Sequence, residues 1–266
     1  VKAGNKVVIF PEGRITATGS LMKVYPGPGM VADKADAPVL PIRIDGAQYT
    51  PFSRLKGVVR LRWFPQINLS ILPPEKLSFP ETMGERERRQ KAGKILADIM
   101  QEMVFETSHY RRRLWDNLLE AAFIHGRDHV ILEDIERQSS SYGQMFTRCM
   151  VLEQLLPKNI RQGDRVGLLL PNMSSCAITF FALQARGVVP AMLNYTMGEK
   201  AATAAIESAT IGTVLTSHRF VEAAGLQKLI ACLEQQTNVL YLEDLAQGLT
   251  LKHKIKGLLK SKFPWL

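Results

Sequence analysis

Glu12, Gly13, Arg14 and, nine residues further on, Lys23 are the residues of this chain whose types and spacing point most directly to chemistry. They follow the four apolar residues Val7–Phe10 and Pro11, and lie in the stretch FPEGRITATGSLMK. A glycine without a Cβ lets the backbone turn sharply and approach a ligand. An arginine presents a planar fork that matches two oxygens of a phosphate or carboxylate, and a lysine adds a point charge. Glu12 can orient a guanidinium or a ligand hydroxyl. The chemistry on offer is anion binding. On spacing alone a prepared anion site and an ordinary strand exit with solvated charges stay equally open.

Other arrangements offer less. His129 and Asp134 have His-x4-Asp spacing, but Val130, Ile131 and Leu132 between them read as the core of a strand. GPGMVA at 27–32 fits a weak dinucleotide pattern, with Pro28 inside it and no strand leading into it, so a turn opening a helix is expected. The single histidines at 109, 125, 218 and 253 form no recognisable constellation, and surface or structural roles are expected. Cys149, Cys176 and Cys232 lie far apart in apolar surroundings without a Cys-x-x-Cys pair, which predicts buried free thiols and no metal site.

Elements must hold these residues. KVVIF and VLPIRI are near-continuous apolar runs, as expected of strands covered on both faces. VVRLRWF and INLSIL alternate, as strands do. From Glu85 the period changes: Ala92, Ile95, Leu96, Ile99, Met103 and Val104 mark an amphipathic helix whose other face carries Arg86, Arg88, Arg89, Lys91 and Lys94. That face is either solvated or a dock for an acidic surface.

A composition break at ETSHYRRRLWDN predicts a domain boundary near residue 109, giving domains 1–108 and 109–266. Beyond it, a short helix is followed by HVILED, RVGLLLPN, VVPAMLNY, TVLTS and NVLYLED as strands alternating with helices. Such alternation implies an α/β fold with a mainly parallel sheet. The uncharged run Val166–Ala185 is long enough to span a bilayer, but Pro171, Asn172, Ser174 and Ser175 interrupt it and favour strand, turn and helix.

With 266 residues, 46% of them hydrophobic, the chain has the apolar material of a folded protein. The net charge of +9 is concentrated at the ends: Lys+Arg outnumber Asp+Glu 10 to 4 over residues 1–74 and 5 to 0 over 249–266. Such patches favour phosphate-bearing or acidic partners. The basic segments lack the interleaved aromatics of a base-stacking surface, which argues against nucleic acid. In the tail, Leu251, Ile255, Leu258, Leu259 and Phe263 share a helix side with lysines around the rest and Trp265 near the end. A basic amphipathic helix at a membrane interface and a basic domain edge covered by further chain both fit. The chain opens on Val1 with neither an initiator Met nor a signal peptide, and is expected to be a piece of a longer protein.

FPEGR, GSLMKVYPGPGMVADK and APVLPIRI together resemble the glycerolipid acyltransferase family. GRITATGSLMK, RIDGAQYTPFSRLKG and FPQINLSILPP, followed in order by LWDNLLEAAFIHG, SYGQM, GDRVGLLLPN and PAMLNYT, resemble bacterial bifunctional enzymes. In these, such an acyltransferase is joined to an adenylate-forming acyl-acyl carrier protein synthetase. The resemblance implies two incomplete α/β domains, an acyltransferase-like sheet layer and then the start of an AMP-binding, parallel-sheet subdomain.

It further implies ATP and Mg2+ as cofactors of the synthetase half, and acyl carrier protein, a fatty acid, a lysophospholipid and the membrane surface as partners. The implied acceptor is 2-acylglycerophosphoethanolamine and the implied location the cytoplasmic face of a bacterial inner membrane. Glu12, Gly13, Arg14 and Lys23 are implied to hold the acceptor phosphate. The family's catalytic His-x4-Asp motif is expected before residue 1 and its ATP phosphate loop after residue 266, so these residues alone are expected to be inactive. A single-activity acyltransferase with an inert synthetase-like half and a non-catalytic lipid- or carrier-binding module are the alternatives.

Overall fold

The computed structural model describes residues 4–80, 82–135, 137 and 139–263. The chain divides into two compact units, Val1–Arg111 and Arg112–Leu266.

The first unit contains α1 (Pro26–Lys34), β1 (Ile42–Asp45), a 3-10 turn (Ala47–Tyr49), β2 (Asn68–Ile71) and α2 (Glu85–Glu106). β1 and β2 pair antiparallel, from Ile42 opposite Ile71 to Asp45 opposite Asn68. α1 crosses α2 at small residues. A Cβ on Gly29 would stand 2.6 Å from the Ala92 carbonyl oxygen, and one on Gly93 would stand 2.6 Å from Pro26 Cβ. Leu77, Ala92 and Ile99 form the core beside this crossing, with Ala32, Val39, Phe79 and Ile95 against them.

Of the basic face of α2, Arg88 is used internally. Its Nε and Nη2 donate to the two Asp33 oxygens at 2.7 and 2.6 Å, and the guanidinium lies 5.3 Å from the Phe79 ring centre. These hydrogen bonds hold Asp33 below its ordinary value of 3.8, outweighing the opposing effect of burial. A carboxylate whose folded pKa is depressed contributes stability that is complete above its unfolded pKa and is lost as pH falls through the folded one. The denaturant midpoint of the first unit is therefore expected to fall as pH drops below about 4, and Asp33→Asn should flatten that dependence. An unchanged pH profile in Asp33→Asn would remove the pair from the account of stability.

Three expectations for this unit are corrected. Residues 6–10 form no strand: Val7, Val8, Ile9 and Phe10 are exposed, and Phe10 is 71% exposed. VVRLRWF is also not a strand; Gly57 turns the chain at φ 85°, leaving one bridge between Lys56 and Val59, with Trp63 and Phe64 in solvent. A strand needs a partner for its backbone N–H and C=O groups. Among the described residues of this unit only β1 and β2 provide such a ladder. VLPIRI is a strand only from Ile42, and Ile42 and Ile44 are exposed, where cover on both faces was expected.

The second unit begins with α3 (Leu114–His125), β3 (Val130–Glu133), β4 (Ser139–Ser141), α4 (Tyr142–Leu155) and β5 (Arg165–Leu168). It continues through α5 (Ser174–Arg186), β6 (Val189–Met192), α6 (Glu199–Ala209), β7 (Thr213–Thr216) and α7 (His218–Ala223). α8 (Gln227–Leu233), β8 (Asn238–Tyr241), α9 (Leu242–Gln247) and α10 (Leu251–Lys262) complete it. Four strands form a parallel sheet in the order β6-β5-β7-β8, while β3 pairs antiparallel with β4 outside it. HVILED thus contributes a strand to a separate hairpin.

Because side chains alternate across a strand, each strand feeds both faces. Leu169, Leu193 and Val214 pack with α6, α7 and α8 on one face. Val166, Leu168 and Leu215 pack with Cys176 and Leu183 of α5 on the other. The outer side of α5 meets α3 and α4 through Trp115, Met145, Phe146, Cys149 and Ala182. Burial on both faces is why these strands read as unbroken apolar runs. The run 166–185 is β5, a turn and α5, and no helix among the described residues is long and apolar enough to cross a membrane. Gly187 ends α5 in the left-handed region at φ 77°.

Candidate functional site

In the first unit the sequence FPEGR forms a turn. The Gly13 N–H donates to the Phe10 carbonyl at 3.1 Å, and Gly13 sits at φ 65°, a left-handed conformation that a side chain would strain. The segment folds back on residues 22–25. The Tyr25 N–H donates to the Pro11 carbonyl at 2.9 Å, and Glu12 Oε1 accepts the Met22 N–H at 3.1 Å. Thr16 Oγ1 accepts from the Thr18 and Gly19 amides and stiffens the intervening loop.

Glu12 accordingly pins the loop and forms no ion pair with Arg14. Arg14 is exposed and has neither hydrogen-bond nor ion-pair partner among the described residues. Lys23, also exposed, holds its Nζ 5.5 Å from the Tyr25 ring centre. That ring passes 3.6 Å from where a Gly13 Cβ would stand, so Tyr25 connects the two. Tyr25 is also the N-cap of α1. The partial positive charge of the helix amino end therefore lies beside the turn, although Pro26 and Pro28 leave Gly27 as the sole amide donor of its first three positions. The Gly13 turn, the Tyr25 ring and the amino end of α1 thus adjoin one another, with the exposed Arg14 next to Gly13 and the exposed Lys23 near Tyr25 in the chain.

GPGMVA at 27–32 lies within α1, where Gly29 serves the contact with Ala92. His129 and Asp134 stand at opposite ends of β3, about 16 Å apart at the usual rise per strand residue, and cannot share a proton. His129 lies 5.4 Å from the His125 ring, while Asp134 accepts a hydrogen bond from Ser174 Oγ at 3.1 Å.

In the second unit, two side-chain groups stand at the carboxyl end of the parallel sheet, the edge where open α/β sheets bind ligands. A groove of about 480 Å³ opens beside the ends of β5 and β6, with Leu132, Phe180, Phe181 and Met192 as its apolar wall and Asp134 and Asn172 as polar groups. Between β5 and β7 the strand ends are sealed by Thr216 Oγ1, which donates to the Leu169 carbonyl at 2.8 Å.

Past β7, Glu243 caps α7. It accepts from Ser217 Oγ at 2.6 Å and from the His218 and Arg219 amides at 3.1 and 3.4 Å. Burial works to raise the Glu243 pKa, but those hydrogen bonds prevail and hold it below its ordinary value. His218 stacks on Tyr241 with ring centres 3.7 Å apart, and its Nε2 lies 3.1 Å from Asp244 Oδ2. Single-histidine reasoning missed this cluster. Its signal was TSH at the end of one strand and YLED at the end of the next, which only strand adjacency brings together.

Cys149 and Cys176 are buried and Cys232 is partly buried; all three are free. Burial pushes the Cys149 thiol up to about 12. Among the described residues no group of three or more His, Cys, Asp or Glu can hold a metal ion.

A parallel sheet with helices on both faces and a groove at its carboxyl edge defines the second unit as an open α/β domain. A model of the AMP-binding enzyme family matches residues 119–260, more than half of the chain, and the chain belongs to that family. An acyltransferase family model matches residues 1–45, which include the glycine turn.

Among solved structures, the chain is similar to the O-succinylbenzoate coenzyme A synthetase MenE of Bacillus subtilis in complex with ATP and magnesium ion. Identity is 18%, coverage is 52% of this chain and 35% of that one, and the TM-score is 0.44. It is also similar to the N-terminal subdomain of Klebsiella oxytoca NpsA in complex with 3-hydroxybenzoyl-AMSN, at 19% identity, 55% and 35% coverage and a TM-score of 0.43. The N-terminal domain of FACL13 from Mycobacterium tuberculosis gives 19%, 51%, 35% and 0.44 respectively. The chain spans about a third of the length of these structures.

Proposed function

We propose that the chain is part of a bifunctional phospholipid-remodelling enzyme. Its synthetase half uses ATP and Mg2+ to activate a fatty acid as an acyl-adenylate and loads it onto acyl carrier protein. Its acyltransferase half passes the acyl group to the free 1-hydroxyl of 2-acylglycerophosphoethanolamine, at the cytoplasmic face of a bacterial inner membrane. The observation that carries this reading is the unpaired Arg14 at the Gly13 turn, within an acyltransferase match, on the same chain as an AMP-binding unit.

In the transfer, the acceptor hydroxyl oxygen attacks the thioester carbonyl and gives its proton to a positioned base. The carrier thiolate leaves and is reprotonated. The part assigned to the described residues is positioning. Arg14 and Lys23 hold the acceptor phosphate, Gly13 makes the turn that lets it approach, and Glu12 fixes the loop through Met22. Holding the phosphate keeps the hydroxyl within reach of the thioester and converts an encounter into an intramolecular step.

The test compares acceptors in the full-length enzyme supplied with preloaded acyl carrier protein. A 2-acylglycerophosphoethanolamine is expected to be acylated far faster than a 2-acylglycerol that lacks the phosphate. Equal rates would sink the phosphate role. Transfer without ATP-dependent loading would point to an inert synthetase half, and neither activity to a binding module.

A further inference from the structure

The tail helix α10 is held against α4 by its smallest residues. Gly257 faces Val151 so closely that a Cβ there would meet Val151 Cγ2 at 2.4 Å and its backbone nitrogen at 3.1 Å. Ser261 is fully buried, its Oγ 3.0 Å from Thr147 Oγ1, while its carbonyl accepts from Arg127 Nη1 at 2.8 Å. Thr250 caps the helix in a capping box with His253. These contacts fix which side of α10 faces inward, and it is not the aliphatic side. Leu251, Ile255, Leu258 and Leu259 lie four, seven and eight residues along, hence on one side, and are 71%, 52%, 47% and 55% exposed.

Around this stripe the charge has one sign. Residues 249–266 contain five lysines and no Asp or Glu. Lys260 is paired with Glu153 at 3.0 Å, and Lys252, Lys254, Lys256 and Lys262 have no carboxylate partner among the described residues. The stripe is flanked by the unpaired Lys252, Lys254 and Lys256 and carries Lys262, four residues beyond Leu258, at its carboxyl end, where a long side chain can reach back to headgroup level. It fits a layer that offers hydrocarbon and anionic headgroups together.

We infer that α10 is the element by which this chain docks on a membrane, lying in the interface with Leu251, Ile255, Leu258 and Leu259 in the acyl region and its lysines on anionic lipid phosphates. This deepens the membrane part of the proposed function and rests on it. The two fail separately, because acyl transfer to a lysophospholipid in detergent micelles reads the acceptor site without needing α10.

The test is flotation of the whole chain with vesicles of phosphatidylcholine alone or mixed with phosphatidylglycerol. Binding is expected to the anionic vesicles only, to weaken in high salt, and to be lost in Leu258→Glu/Leu259→Glu. Lys252→Gln/Lys256→Gln, conservative at exposed positions and therefore usable if the first variant unfolds, should weaken binding about twenty-fivefold, at about fivefold per lysine. Equal flotation with neutral vesicles, no flotation, or binding unaffected by the lysine variant would overturn the inference. So would failure to float combined with self-association or capture of purified acyl carrier protein that the leucine variant abolishes.

Discussion

Arg14→Ala in the full-length enzyme is expected to raise the KM for the lysophospholipid acceptor by about tenfold or more while leaving ATP-dependent loading of acyl carrier protein unchanged. The magnitude follows from losing a hydrogen bond to a charged group, about 1.5–3 kcal/mol, taken near its lower end because Arg14 is exposed. A larger share of the loss should appear in KM than in kcat, since phosphate binding is common to the ground and transition states.

Arg14→Lys should recover only part of the affinity, because an ammonium keeps the charge and loses the fork. The fold should tolerate both changes, since Arg14 contributes no hydrogen bond or ion pair to the described structure. Unchanged acceptor kinetics in Arg14→Ala would remove this residue from the site. A drop confined to carrier loading would do the same.

The second large effect is structural. Gly46→Ala is expected to destabilise the first unit by about 3 kcal/mol or more, combining an unfavourable backbone conformation with overpacking. Gly46 follows β1 at φ 95°, and a Cβ there would stand 1.9 Å from the Gln66 carbonyl oxygen and 3.2 Å from Ile67 Cα. Both obstacles are backbone atoms of the segment that leads into β2, so neither can swing aside. The same glycine donates its N–H to Gln48 Oε1 at 2.8 Å and accepts from the Tyr49 amide at 3.1 Å, which starts the 3-10 turn. Relief by moving residues 66–67 would disturb the pairing of Asp45 with Asn68. Denaturant unfolding monitors this. An unfolding free energy within about 0.5 kcal/mol of the unchanged chain, the usual range of a neutral surface change, would contradict the close approach.

Legibility differed between the units for a physical reason. In the second unit, Val166, Leu168, Val214 and Leu215 are covered on both faces by helices that come directly before or after them, so apolar runs and helical periods announce the architecture. α2 was equally readable, since Leu96, Ile99 and Met103 are buried on one stripe. Residues 6–10 and 58–64 carry strand-like patterns without strands, because pairing depends on a partner elsewhere in the chain. The antiparallel hairpin of β3 and β4 was likewise invisible, since the period of a strand does not reveal which sheet it joins.

At the candidate sites the division is similar. Sequence by itself determined the chemical types: a glycine able to take φ 65°, a guanidinium beside it, an ammonium nine residues on, and a lysine helix without acids. The tertiary structure decided what each of them faces. Glu12 is committed to the Met22 amide and leaves Arg14 unpaired, a choice made by the fold-back of residues 22–25. In α10 the period located an aliphatic stripe, but burial went to Gly257 and Ser261, because only side chains that small let α10 approach α4 to backbone distance. Periodicity records which residues share a side; which side is covered depends on the surface that meets it.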